Sequence, residues 1–249
     1  MNLLADTRFG AYLQLAWFAG SRRHELRRPM LREQLLRQVY SAGVTALPVI
    51  GVMAMLTGAA VVTQLSALIG ADSDLTQRMI FLGLFVELAP LLSALVVVAR
   101  SSAGIASELA VMHLHDEFTA LRRLGVPAAD YLLLPRIFGL MIALPAVTAC
   151  FQACALGSGW LTMAVLEGRP LAETAGRFLD LADPWLVLLS LFKSVLMGAA
   201  VGIIACHHGS TGKGSTQAIS GAAIQAVGTG LVAVFVVDVA FAMLIYALK

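Results

Sequence analysis

"MIFLGLFVELAPLLSALVVV", Met79–Val98, is a run of twenty residues with a single charge, Glu87. Twenty helical residues rise about 30 Å, the thickness of a bilayer's hydrocarbon core. The stretch therefore reads as a membrane span with a carboxylate inside it. Pro90 follows three residues after Glu87. Proline removes a backbone donor and bends a helix, so a kink beside the buried carboxylate is expected.

The rest of the chain has the same character. Of 249 residues, 59% are hydrophobic and 13% charged, and the mean hydropathy is +0.85. Soluble domains carry about 25% charged residues, so this chain lacks the polar surface to face water all round. Four further stretches are long and apolar enough to span: Val44–Ile69, Ile137–Val165, Trp185–Cys206 and Ile219–Leu248. The third and fifth of the five spans exceed the needed length, which implies tilt or interfacial ends. Lipid satisfies no open backbone group, so all five must be helices. The fold class is an all-α integral membrane protein with five transmembrane helices.

Lys and Arg set the orientation. Arg8, Arg22, Arg23, Arg27, Arg28, Arg32 and Arg37 precede the first span. Arg100, Arg122, Arg123, Arg136 and Lys213 flank the same side, which makes twelve against Arg78, Arg169, Arg177 and Lys249 opposite. The imbalance puts the N-terminus in the cytoplasm and the C-terminus outside. It also accounts for the basic residues without nucleic acid, since they border membrane segments. Residues 1–43 read as interfacial or elbow helices. There Phe9, Leu13, Trp17 and Phe18 share a face beside arginines, and Pro29 divides two helical pieces. Residues 44–249 hold the five spans. Between the second and third lies "ELAVMHLHDEFTALRRLGVP", Glu108–Pro127, an amphipathic cytoplasmic stretch with Phe118, Leu121 and Leu124 at helical spacing. Gly125 and Pro127 stop it. A short helix there is a natural docking surface for a partner.

One motif invites a nucleotide-binding reading. "GIIACHHGSTGKGST", Gly202–Thr216, places Gly212 and Lys213 like a phosphate-gripping loop. Such a loop reads G-x-x-x-x-G-K-[ST] and follows a strand. Here His207 and Gly214 occupy two of the fixed positions, and a membrane span precedes them. ATP, if it is used, is hydrolysed by another chain. Cys150, Cys154 and Cys206 form no metal or disulfide spacing. Ser158 in "GSG" has no histidine within a span to serve as base. No catalytic residue, metal or cofactor is assigned to this chain.

Three ionisable residues sit deep in apolar runs: Glu87, Lys193 in "LSLFKSVLM" and Asp238 in "VFVVDVAFA". A charge at the centre of a lone membrane helix costs at least about 2.5–3.5 kcal/mol. Facing inward and pairing lowers that cost, so the three are expected to meet. They either lock the bundle or line a polar cavity for a substrate headgroup. Another reading has Glu87 and Asp238 titrate in a proton-coupled secondary transporter.

The segment Glu87–Arg136 resembles the signature block of the MlaE-type permease family. That block runs E-L-G-P, an apolar stretch, A-x-R, E-L-x-x-M, A-L-x-x-x-G-V-x-P and P-R. The matching positions here are Glu87, Leu88 and Pro90, then Ala99 and Arg100, then Glu108, Leu109 and Met112. Ala120, Leu121, Gly125, Val126, Pro127, Pro135 and Arg136 complete it. "LFKSVLMGAAVGIIACHHGSTGKGSTQAISGAAIQAV" is similar to a second family stretch, and Asp238 falls on its acidic position in the last helix. Ala89 stands where the family has glycine, and His115-Asp116-Glu117 where Thr-Glu-Gln is usual.

The resemblance implies the membrane subunit of an ABC transporter that moves phospholipid or related lipid between membranes, sited in the cell inner membrane with a periplasmic C-terminus. It implies a homodimer and a separate cytoplasmic ATPase that binds ATP and Mg. An MCE-domain substrate-binding protein stands on the far side, and a STAS-domain protein often accompanies the ATPase. Carried onto this chain, lipid would meet Glu87, Leu88, Leu91, Gln64, Lys193 and Asp238. The ATPase would meet Asp116, Glu117, Phe118, Leu121, Arg122 and Arg123.

Overall fold

The computed structural model describes residues 8–22, 29–69, 81–125, 127–168, 184–211 and 216–247. Outside them lie the start of the expected second span, the glycine-rich stretch 212–215 with Lys213, Val126, Leu248 and Lys249. Arg23, Arg27, Arg28, Arg78, Arg169 and Arg177 lie outside as well. All regular structure among the described residues is helical.

Helix α1 spans Arg8–Ser21 and α2 spans Pro29–Ala42. A three-residue 3-10 turn, Val44–Ala46, joins α2 to α3, Leu47–Ile69. The second span, α4, runs Leu82–Leu114. Two short helices follow, α5 at Glu117–Arg123 and α6 at Ala128–Leu132. The long helices α7, Leu134–Glu167, α8, Pro184–Ser210, and α9, Thr216–Ala247, complete the chain. Five helical columns are long and apolar enough to cross a membrane, as expected.

The centre is α7. Ile137, Leu140, Leu144, Val147 and Phe151 recur at the 3–4 spacing of one helix face and are all essentially inaccessible. Helices α2, α3 and α8 pack around it, and α9 packs on α8 and the lower part of α4. Small residues set the closest approach. A Cβ on Gly198 would stand 2.6 Å from the Leu140 carbonyl oxygen, and one on Gly202 would stand 3.0 Å from the Ile137 Cα. This G-x-x-x-G pair lets α8 touch the α7 backbone, a usual means of joining helices in lipid.

Three details differ from the sequence expectation. Pro90 is preceded by a π-helical stretch, Leu82–Leu88, which the sequence did not suggest, and it sits in the first turn of the α segment Ala89–Val97. A second π stretch, Val98–Ser102, leads into Ala103–Leu114. Glu108–Pro127 is not one helix. Its first part ends α4, and Asp116, with φ of 56°, turns the chain before α5. Finally, the apolar face of α1 splits. Leu13 and Trp17 are exposed, whereas Phe18 and Ala19 pack into the core; the Phe9 side chain lies outside the described residues.

Candidate functional site

Lys193 lies nine residues inside the start of α8, about 14 Å down the helix. Asp238 lies nine residues before the end of α9, at matching depth. Antiparallel neighbours thus bring both to one level, roughly halfway through the hydrocarbon. Glu87 reaches the same level from the last turn of the first π stretch. The Lys193 side chain is wholly inaccessible, and its Nζ stands 2.6 Å from Glu87 Oε2 and 2.7 Å from Asp238 Oδ1. Nζ donates a hydrogen bond to Glu87 and a longer one, 3.5 Å, to the Val86 carbonyl. Asp238 Oδ1 makes no aligned hydrogen bond, so its attraction to Nζ is purely electrostatic. The ring of Phe241 stands 5.9 Å from the same cation.

The three deep charges therefore meet, but as a closed knot rather than across an open hollow. Clefts of about 620 and 680 Å3 lie beside α5 and beside α1, and neither is lined by the trio. The knot is most open at Glu87, whose side chain is 44% exposed, against 17% for Asp238. Leu88 and Leu91 flank it, half-buried against the core. Gln64 is exposed on α3 and shares no hydrogen bond with the trio among the described residues.

Two polar residues that the charge-led reading passed over complete this layer. Gln152 on α7 and Ser190 on α8 are both buried. Gln152 Nε2 donates to the Phe85 carbonyl at 3.1 Å and to Ser190 Oγ at 2.8 Å. The signal was present: Gln152 is a lone amide in the apolar run "TACFQACAL", and Ser190 lies one turn from Lys193.

At the end of the bundle below α4, α5 is amphipathic. Phe118 and Leu121 pack against the core, and Asp116, Glu117, Arg122 and Arg123 face solvent. Glu117 in its first turn and Arg122 and Arg123 in its last oppose the helix dipole favourably. The 620 Å3 cleft lies between α5 and α2, walled by Gln34, Arg37, Leu121, Leu124 and Arg136. Arg136 is buried and donates to Glu108 Oε2 at 3.0 Å, which ties the foot of α7 to α4. Helix α1 is fastened at both ends. Tyr12 and Thr229 share His208 Nε2, at 3.0 and 3.1 Å, and Arg22 pairs with buried Asp130 of α6.

The family described as Permease MlaE matches residues 35–244, a stretch holding the trio, Gln152 and α5. The chain belongs to the MlaE permease family. Only α1 and the start of α2 fall before the matched stretch. Relatives of this MlaE-family chain include the Arabidopsis thaliana protein Trigalactosyldiacylglycerol 1, chloroplastic, which is 32% identical over 61% of the chain and 43% of its own length. A probable ABC transporter permease protein of Synechocystis is 29% identical over 60% of the chain and 57% of its own length. The chain thus spans about half the length of these two. A probable ABC transporter permease protein of Rickettsia conorii is 29% identical over 76% of the chain and 74% of its own length. Family and helices together make this a multi-pass membrane protein of the ABC transporter permease kind.

Proposed function

We propose that the chain is the permease subunit of an ABC transporter that moves phospholipid or a related lipid between membranes. It has no catalytic site of its own. A separate cytoplasmic ATPase binds ATP and Mg and docks on the outer face of α5, at Asp116, Glu117, Arg122 and Arg123, while Phe118 and Leu121 seat that helix against the core. The permease works as a homodimer in the inner membrane, with its N-terminus cytoplasmic and its C-terminus periplasmic. An MCE-domain protein meets it on the far side, and a STAS-domain protein accompanies the ATPase.

One observation carries this reading. The ion knot is built at mid-membrane on α4, α8 and α9, and α4 runs without a break in the chain from Glu87 to the foot of α5. A docked motor that moves α5 therefore pulls on the helix that carries Glu87. The lipid headgroup meets Glu87 on the open side of the knot, with Leu88 and Leu91 beside its chains. The α1 fastenings and the apolar exterior suit a protein held in lipid. A relative named for a glycolipid also favours lipid as the cargo.

The test is reconstitution into vesicles carrying a fluorescent phospholipid. The expected result is lipid transfer only when the ATPase subunit and ATP are both present. Transfer by the chain alone under a pH gradient overturns it in favour of proton coupling through Glu87 and Asp238.

A further inference from the structure

A π-helical amide donates to the carbonyl five residues back, whereas an α-helical amide donates four back. Ala89 follows the first rule, donating to the Leu84 carbonyl. The next amide would serve Phe85 in π register or Val86 in α register. It belongs to Pro90, which has no N–H. The chain therefore leaves an acceptor short of a donor at Phe85 or Val86, two buried residues in the middle of a membrane span. A buried carbonyl without a partner is costly, so donors must come from elsewhere. They come from other helices. Gln152 Nε2 reaches the Phe85 carbonyl at 3.1 Å, and Lys193 Nζ reaches the Val86 carbonyl at 3.5 Å. Gln152 is 4% exposed, and its second hydrogen bond, to Ser190 Oγ, ties the same layer to α8. Ser190 Oγ in turn donates a hydrogen bond to the Val187 carbonyl.

We propose that Gln152 is a positioning residue for the transport site, a role that rests on the lipid-permease reading only for the word transport. Its amide stands in for the donor missing at Pro90 and holds the π turn in register. Glu87 is the second residue after Phe85, so that register decides which way its carboxylate points. A π stretch holds one residue more than the α turns it replaces. Slipping to α register turns Glu87 by roughly 100° about the axis of α4, away from Lys193. Gln152 thereby fixes Glu87 against Lys193 without touching lipid itself.

A simpler role would be to staple α7 to α8 through Ser190, and a double-mutant cycle with Pro90 separates the two. Pro90→Ala returns an N–H to the segment and makes the Gln152 donor redundant. The measurements are the melting temperature of the full chain in detergent, and ATP-driven transfer of a fluorescent phospholipid by the full chain reconstituted with its ATPase. With Pro90 in place, Gln152→Met should lower the melting temperature by about 5 °C and lipid flux about tenfold. In the Pro90→Ala background both losses should fall to less than half. Ser190→Ala should cost the same in both backgrounds. Equal losses for Gln152→Met in the two backgrounds, or failure to fold in both, overturn the proposal. Coupled melting temperatures in a chain that moves no lipid would sink the permease reading and leave the positioning role standing.

Discussion

Among the described residues the ion pairs fall into two sets, one at mid-membrane and one at the end of the bundle that carries α5, and they differ in how deeply the charges are sealed. At mid-membrane the cation is the hidden member: Lys193 is wholly buried, and its two carboxylates keep 44% and 17% exposure. At the α5 end each pair joins one buried group to one that is exposed. Asp130 is buried and Arg22 is 47% exposed, and Arg136 is buried beside a Glu108 that is 63% exposed. An ion with access to water keeps much of its hydration, so these pairs act as local fastenings. A cation sealed inside the bundle depends wholly on its partners. The same chemistry therefore tolerates adjustment at the α5 end and little at mid-membrane.

The sharpest way to break the comparison is Lys193→Met. It leaves two carboxylates facing each other with no cation between them, and stability should fall by about 3–5 kcal/mol. The check is thermal unfolding of the detergent-solubilised chain. Neutralising the partners as well, with Lys193→Met, Glu87→Gln and Asp238→Asn together, should recover most of that stability while lipid transfer stays lost. Recovery of both would mean that the knot only locks the bundle.

At the α5 end the effect is smaller. Arg22→Ala strips the cation from Asp130, whose Oδ1 already lacks a hydrogen-bond partner. The expected loss is about 1–2 kcal/mol, reduced because Arg22 itself is half in water. Adding Asp130→Asn should cancel most of it, which the same unfolding measurement reads.

The two regions also differ in how much of them the sequence disclosed. A charge in an apolar run is conspicuous because lipid makes it expensive, so Glu87, Lys193 and Asp238 could be picked out and expected to meet. Depth arithmetic on α8 and α9 then follows from 1.5 Å per residue. The π stretches were not legible in this way. Pro90 announces a missing donor, but whether the helix kinks or widens depends on whether another helix offers a replacement, and Gln152 lies 62 residues away in the chain. The break at Asp116 was hidden for another reason. Asp tolerates the left-handed conformation, yet nothing in "HLHDEF" marks it off from a helical Asp. Whether the trio locks the bundle or lines a cavity was left open by the sequence, and in the fold Lys193 is long enough to reach both carboxylates directly.

The smallest effect on the fold should come from α5, where the consequence for coupling is largest. Arg122 and Arg123 are exposed and make no ion pair among the described residues. Replacing both with Ala removes nothing that packs, and the melting temperature should not move. Phe118 and Leu121 are different, since they hold α5 against the core and set its angle to α4. The double variant Arg122→Ala and Arg123→Ala therefore isolates the outer face of α5 from its seat. If that face meets the ATPase, co-purification of the two subunits should weaken at least tenfold as salt bridges across the interface are lost, and lipid-stimulated ATP hydrolysis should fall with it. Unchanged co-purification would move the docking surface from the rim of α5 into the cleft between α5 and α2, where Arg37, Leu121 and Leu124 would then be the residues to change.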